Sequence, residues 1–207
     1  MRVHLAVAIV LSGLLAAPSA AAPQCPFLTD PAGDSDEFGV LEDDALDLRS
    51  VDIASNGVIL AMRARVTSLT LPPPSSPTGA LYDFQFQVGE VYFRAQATYS
   101  PLEGESYQLR RSSGHVGGNG AYTSTKLDSS ITGRFDTAEG TVVVHVPVAD
   151  LNKVVRVSRG DFVYEIGAIT WRTGGLRDVD SFVASADFAD SGRSYRIGAR
   201  ACIVAGR

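Results

Sequence analysis

The sequence is dominated by short runs in which apolar and polar residues alternate with a period of two. Between residues 58 and 66, apolar residues occupy every second position, and Arg63 and Arg65 stand between them. Successive side chains of a β-strand point to opposite faces of a sheet, so this pattern predicts a half-buried strand. Beyond the N-terminal segment, no helical period persists over three turns. The chain is therefore predicted to be nearly all β.

Similar runs recur along the chain and are separated by turn residues. Asn56-Gly57 and Gly89-Glu90 predict two hairpins, and glycine in first place suits a type II′ turn. The one helical candidate is a turn or two at residues 148–154. About nine to eleven short strands predict an antiparallel β-sandwich of jelly-roll or Ig-like type.

Most aromatic residues of the alternating runs are interpreted as core. In the run at residues 162–168, Phe162, Tyr164, Ile166 and Ala168 occupy alternate positions and are predicted to share one face. The phenylalanines interpreted as core are Phe84, Phe86, Phe93, Phe162 and Phe188. The pattern does not fix four aromatic residues that could stack on a sugar ring or a partner, namely Tyr92, Tyr107, Tyr122 and the single tryptophan, Trp171. Trp171 and Tyr122 are the candidate ligand contacts, and packing in the core or at a sheet edge is the alternative for Trp171.

The N-terminal segment has the order of residues typical of a signal peptide. Arg2 precedes an apolar run at residues 5–17, and Pro18 and a stretch of small residues follow. The run falls short of the about 20 apolar residues that a membrane-spanning helix needs. We predict a signal peptide at residues 1–21, with cleavage after Ala20 or Ala21, and a single domain at 22–207. An uncleaved N-terminal anchor is the alternative.

Both cysteines lie in the part predicted to be exported. Disulfides form in oxidising compartments, so pairing of Cys25 with Cys202 is the expectation. Such a bridge would join the two ends of the mature chain. Neither cysteine belongs to a Cys-x-x-Cys motif, which argues against a redox or metal role.

Charge and motif content exclude several classes of function. The formal net charge is −5, and the arginines are scattered along the chain, which argues against nucleic-acid binding. The predicted mature chain has two histidines, His115 and His145, neither in a zinc motif, and it has no Gly-x-Ser-x-Gly elbow. A non-catalytic protein is predicted. A hydrolase with paired carboxylates is the remaining enzyme alternative, because such residues can come from any two facing strands.

Acidic residues are concentrated in the segment that precedes the first long predicted strand. Between Thr29 and Asp47 the chain carries seven aspartates or glutamates before Asp47 itself, and it turns at Pro31 and Gly33. Ca²⁺ neutralises such a loop by binding several carboxylate and carbonyl oxygens, although the spacing is not that of an EF-hand. The alternative is a solvated acidic loop in which Asp30 or Asp34 caps a turn.

Five short segments resemble a group of secreted bacterial β-sandwich domains, the family 9 carbohydrate-binding modules and DOMON-type domains. The segments are Asp-Pro-Ala-Gly-Asp at 30–34, residues 47–53, Asn56-Gly57, residues 133–142 and residues 146–151. The resemblance implies a sandwich fold and a Ca²⁺ site at the positions of Asp30, Asp34 and Asp47. The family's pair of sugar-binding aromatic residues has no full counterpart, because the chain has one tryptophan.

Together these features predict a secreted, bacterial, non-catalytic binding or accessory module, with Ca²⁺ as its one candidate cofactor. The expected partner is a cell-wall glycan or another secreted protein, and no membrane contact is expected after removal of the signal peptide. A structural or interaction protein without a small ligand is the alternative within the same fold, and an extracellular hydrolase is the alternative in another class.

Overall fold

The computed structural model describes residues 26–33, 43–113, 123–173 and 182–199, with the backbone alone for Thr173 and residues 182–191. The predicted signal peptide, the boundary of the domain at residue 22, Cys25, Cys202, Asp34 and Tyr122 lie outside the described residues. The described elements are, in chain order, β1 (Leu28–Thr29), β2 (Leu48–Ser55), β3 (Ile59–Val66), β4 (Ala80–Val88), β5 (Val91–Ser100), β6 (Gly104–Ser112), β7 (Ser124–Lys126), β8 (Thr132–Asp136), β9 (Thr141–Pro147), α1 (Val148–Leu151), β10 (Phe162–Thr173), β11 (Phe182–Ser191) and β12 (Tyr195–Arg196).

These strands form two antiparallel sheets. The five-stranded sheet has the order β1-β2-β3-β9-β8, and the seven-stranded sheet has the order β11-β10-β4-β5-β6-β7, with β12 paired to β10. The two sheets pack face to face, so the predicted all-β antiparallel sandwich is confirmed. Ten of the described strands are longer than two residues, which agrees with the predicted number.

The hydrophobic core lies between the two sheets. Leu60 and Met62 of β3 and Phe84 and Phe86 of β4 contribute to it, and all four side chains are almost completely buried. Phe86 stacks on Phe93 with 5.5 Å between ring centroids. Across the core, Tyr82 of the seven-stranded sheet meets Phe135 of the five-stranded sheet edge to face. Burial of these side chains is the main favourable term in folding, at about 25 cal/mol per Å² of apolar surface.

Two hydroxyl groups in the core tie the turn at residues 44–46 to the seven-stranded sheet. The Tyr82 hydroxyl donates to the Ala45 carbonyl oxygen at 2.6 Å, and the Thr170 hydroxyl donates to the Leu46 carbonyl oxygen at 2.7 Å. Buried carbonyl groups need a hydrogen-bond donor, and these two carbonyls obtain it from the opposite layer. The segment that leads into β2 is thereby held against both sheets.

The predicted local elements are largely present. Asn56 closes the β2–β3 hairpin by accepting hydrogen bonds from the backbone N–H groups of Val58 and Ile59. Gly89, with a φ of +58°, opens the two-residue turn between β4 and β5, as a type II′ turn requires. The short helix α1 falls within the predicted range. Among the described residues, the longest helix has four residues, and no helix is of the length and apolarity that crossing a bilayer requires.

The placement of Val58 differs from the prediction. The alternation put Val58 on the apolar face of the strand, but β3 begins at Ile59 and the Val58 side chain is 68% exposed. The Val58 N–H donates to the Asn56 side chain as part of the turn, so Val58 belongs to the turn and not to the β2–β3 ladder.

Candidate functional site

Two aromatic rings lie exposed, side by side, on the outer face of the seven-stranded sheet. Phe162 and Tyr164 of β10 are 39% and 44% exposed, and their ring centroids are 5.9 Å apart. Tyr92 of β5 stands on the same face, opposite Gln87, which in turn lies opposite Tyr164. We call Phe162, Tyr164 and Tyr92 the aromatic platform. Exposed aromatic residues grouped in this way make this face the candidate binding surface of the described structure.

A β-bulge in β10 places the two rings outside. Tyr164 pairs with Gln87 but Gly167 pairs with Gln85, so β10 contains one extra residue between these positions. Glu165 adopts a φ of +45°, which is uncommon for a residue other than glycine. An extra residue reverses the face of every later side chain, so Ile166 and Ala168 point into the core.

The prediction that Phe162, Tyr164, Ile166 and Ala168 share one face is therefore wrong, as is the interpretation of Phe162 as a core residue. Strict alternation cannot reveal an extra residue. One indication was available in the sequence, because the apolar residue Val163, which is buried, occupies a position that the predicted pattern assigned to the solvent side.

Polar contacts hold the platform in place. The Tyr92 hydroxyl is hydrogen-bonded to Glu165, and this bond, with smaller contributions from burial and the Glu165 charge, raises the pKa of Tyr92. The Arg196 guanidinium lies over the Phe162 ring, 5.0 Å from its centroid, at a distance that permits a cation–π interaction. The Gln87 amide donates to the Gly89 carbonyl oxygen at 2.7 Å. Two of the three rings thus have a charged partner beside them, Glu165 for Tyr92 and Arg196 for Phe162.

The same face continues from the platform as a polar surface across β4, β5 and β6. Asp83 lies opposite Gln96, which lies opposite Gln108, and Gln85 lies opposite Arg94 in the next row. All five side chains are buried although they point away from the hydrophobic core. Some of these groups bond to one another, because Asp83 accepts from the Gln85 amide and forms an ion pair with Arg94.

The candidate ligand residue Trp171 does not join the platform. It stands on the same outer face, opposite Leu81, and is half-buried. Nine positions of β10 separate it from Phe162, which corresponds to about 30 Å along a strand. The other candidate, Tyr122, lies outside the described residues.

The described part of the predicted calcium loop is held by hydrogen bonds. Asp47 is almost fully buried, and the Gly33 N–H lies 3.1 and 3.2 Å from its two carboxylate oxygens. The Thr67 hydroxyl also donates to this carboxylate. Asp30 is half-buried, and its N–H donates to the Arg49 carbonyl oxygen. Asp47 thus serves to close the loop, and calcium at Asp30, Asp34 and Asp47 stays a prediction because Asp34 is not described.

Other carboxylates near this loop are similarly engaged. Asp43 accepts hydrogen bonds from the backbone N–H groups of Ala45 and Ser75. Asp52 accepts one from the Phe27 N–H and forms an ion pair with Arg63. Over the described ranges, no group of three or more histidine, cysteine, aspartate or glutamate side chains is placed to hold a metal ion.

Comparison with known proteins gives little further guidance. No family model matches the chain, and no curated protein matches it. Among solved structures, a protein from Bacteroides uniformis that is provisionally described as carbohydrate-binding is similar over 79% of this chain and 85% of that chain, with 13% sequence identity and a TM-score of 0.38. At this score the likeness carries no argument, and the β-sandwich assignment depends on the two sheets described above.

Proposed function

We propose that this chain is a non-catalytic binding module that holds a polysaccharide on the aromatic platform of its seven-stranded sheet. The observation that carries the proposal is the exposed pair Phe162 and Tyr164, presented by a bulge and flanked by fixed polar groups. One face of a sugar ring consists mainly of C–H groups. Such a face packs well against the electron-rich face of an aromatic ring, while amides and carboxylates bind the hydroxyl groups at its edge.

The rigidity of the platform supports this function. Glu165 fixes Tyr92, and Arg196 lies against Phe162, so little side-chain freedom would be lost when a ligand binds. Preorganisation of this kind raises affinity by lowering the entropic cost of association. The platform lies on a sheet rather than in a deep cavity, which suits an extended chain more than a small isolated sugar.

Binding to polysaccharides tests the proposal. The mature protein would be incubated with insoluble cellulose, chitin, xylan and peptidoglycan, and depletion from solution would be measured. The double variant Phe162→Ala/Tyr164→Ala is expected to weaken binding by about tenfold or more, as loss of central aromatic contacts does. Leu102→Ala is the matched control, because Leu102 is 69% exposed but lies in the turn after β5, at the opposite end of that strand from Tyr92.

Thermal melting would show that all variants are folded. Absence of binding to every polysaccharide would refute the proposal, and so would an equal loss in the Leu102 variant. Retention of a secreted protein on the platform, without any polysaccharide binding, would favour the alternative of a protein-interaction module.

Three further properties belong to the same proposal. We propose that the protein is secreted, that Cys25 and Cys202 form a disulfide, and that Ca²⁺ binds at Asp30, Asp34 and Asp47. Thiol titration of the protein recovered from the medium tests the disulfide. Melting with calcium and then with chelator tests the metal, because a ligand that binds the folded state alone must raise the midpoint.

A further inference from the structure

A polar groove lies beside the five-stranded sheet, where β1, β2 and β3 meet the turn that precedes β9. Its volume is about 640 Å³, within the range of small-ligand sites. Its lining includes four residues that carry hydroxyl groups, namely Thr29, Ser50, Thr67 and Thr137, and two arginines, Arg49 and Arg65. It contains no aromatic residue, so its chemistry differs from that of the aromatic platform.

A second β-bulge brings the two arginines together. Leu48 pairs with Val66 and Ser50 pairs with Arg65, so Arg49 is the extra residue of β2 at this point. Two residues of a bulged strand face one residue of the partner strand, which places Arg49 and Ser50 opposite Arg65. The bulge is what directs the Arg49 side chain into the groove beside Arg65.

The positive charge of this arginine pair is not neutralised within the described structure. Arg65 donates from Nη1 to the Glu139 carbonyl oxygen at 2.9 Å, which satisfies one of its five N–H groups and none of its charge. Among the described residues, Arg49 has no hydrogen-bond or ion-pair partner for its side chain, and the Glu139 carboxylate, although it also lines the groove, forms no ion pair with either arginine. Like charges on neighbouring strands are destabilising unless an anion lies between them.

We infer that the groove is an oxyanion-binding site for the carboxylate or sulfate groups of an acidic polysaccharide. Guanidinium groups bind such groups through paired N–H donors, and the hydroxyl-rich wall supplies partners for the sugar hydroxyls that flank an acidic group. The site is separate from the aromatic platform, and its existence does not depend on the platform binding a neutral glycan.

Titration calorimetry at low ionic strength tests the inference with two anionic polymers and one neutral polymer. Polygalacturonate carries carboxylates, dextran sulfate carries sulfates, and unmodified dextran is the neutral reference. Arg49→Gln is expected to weaken binding to the anionic polymers about fivefold to tenfold, and the Arg49→Gln/Arg65→Gln double variant further. The effect of Arg49→Gln is the simpler of the two to interpret, because this change removes no side-chain hydrogen bond of the described structure. Arg111→Gln is the matched control, because Arg111 is an exposed arginine of β6 without a partner among the described residues.

The outcomes distinguish binding of an anion in the groove from non-specific electrostatic attraction and from binding at the aromatic platform. Binding of one anionic polymer alone identifies the anion, and binding of both indicates a general oxyanion site. The Phe162→Ala/Tyr164→Ala variant should keep its affinity for these polymers even if it loses neutral glycans. No binding of either anionic polymer would overturn the inference, as would an equal loss in the Arg111 variant.

Discussion

Arg94 and Asp83 form an ion pair on the face of the seven-stranded sheet that points away from the hydrophobic core, and both side chains are buried. The Arg94 Nε lies 2.8 Å from Asp83 Oδ2, and the two side chains are 3% and 0% exposed. Asp83 Oδ1 has no hydrogen-bond partner among the described residues, and the same is true of the nearby Thr98 hydroxyl. Groups in this situation are usually satisfied by a buried water molecule.

The first prediction concerns this ion pair. Arg94→Met should lower the free energy of unfolding by about 3–5 kcal/mol, because it leaves the Asp83 charge buried and uncompensated. The double variant Asp83→Leu/Arg94→Met should cost less than the sum of the single changes. Urea unfolding measures both. Arg63→Met is the comparison, since Arg63 is 27% exposed in its pair with Asp52 and should cost about 1 kcal/mol or less. Equal costs at the two pairs would contradict this account.

The second prediction concerns Gly133, at which β8 of one sheet closely approaches Tyr107 of the other. A Cβ atom at this position would overlap the Tyr107 ring and the Val143 carbonyl oxygen. Gly133→Ala should therefore destabilise the protein by about 1–3 kcal/mol through overpacking. Gly192→Ala is the control, because among the described residues, apart from Gly192 and its two chain neighbours, no heavy atom lies within 4 Å of the added Cβ. A Gly133 variant as stable as the control would show that the sheets can separate locally at little cost.

The third prediction concerns the backbone at Glu165. Because its φ is positive, Glu165→Val should be less stable than Glu165→Gly by about 1–2 kcal/mol, although both changes remove the same carboxylate. Chemical denaturation compares the two. In both variants the pKa of Tyr92 should fall back towards its ordinary value of 10.0, which a spectroscopic titration detects. Equal stability would mean that residue 165 does not keep this conformation.

The fourth prediction concerns pH. Burial, with a smaller effect of the Arg134 charge, lowers the pKa of His145 below its ordinary value of 6.5. As the pH falls, the His145 side chain of the unfolded chain therefore binds a proton at a higher pH than that of the folded protein. The contribution of neutral His145 to stability is complete above pH 6.5 and is lost as the pH falls below that value. Melting temperatures between pH 7.5 and 5 should show this fall, and His145→Gln should reduce it.

The titration of the Asp150 carboxylate does not overlap the pH range in which His145 is tested. Burial raises the pKa of Asp150, but its hydrogen bonds with Lys153 and Ser130 lower it by more, so its net shift is below the ordinary value of 3.8. Its contribution to stability is lost only below that pH. A fall between pH 7.5 and 5 that His145→Gln leaves unchanged would assign the effect to another group.

Apolar–polar alternation and turn residues predicted most strands and hairpins, because these elements are determined by neighbouring residues in the sequence. Gly89 and Gly57 adopt the positive φ values that their turns need, and both hairpins follow from them. The bulges at Arg49 and Glu165 were not predicted, because each depends mainly on how a neighbouring strand pairs with it.

Burial of the polar face escaped prediction for a related reason. Alternation indicated that Asp83 and Gln85 lie on the face opposite Phe84, which is the case. It carries no information on how much solvent reaches that face, so the burial of both residues could not be predicted. Phe162 and Tyr164 of the aromatic platform were missed because their assignment required the position of one extra residue in β10.

The hydrogen bonds of Tyr82 and Thr170 to the carbonyls of residues 45 and 46 restrict which sequence exchanges this domain tolerates. Phenylalanine at position 82 or valine at position 170 would have nearly the same shape, but it would leave a buried peptide carbonyl without a hydrogen-bond donor. A chimera that takes one layer from a different sandwich would meet the same difficulty, even with matching strand lengths. The two layers are thus co-adapted. Recombination between homologues should succeed only when the layer that replaces the seven-stranded sheet also has a hydroxyl group at the positions of Tyr82 and Thr170.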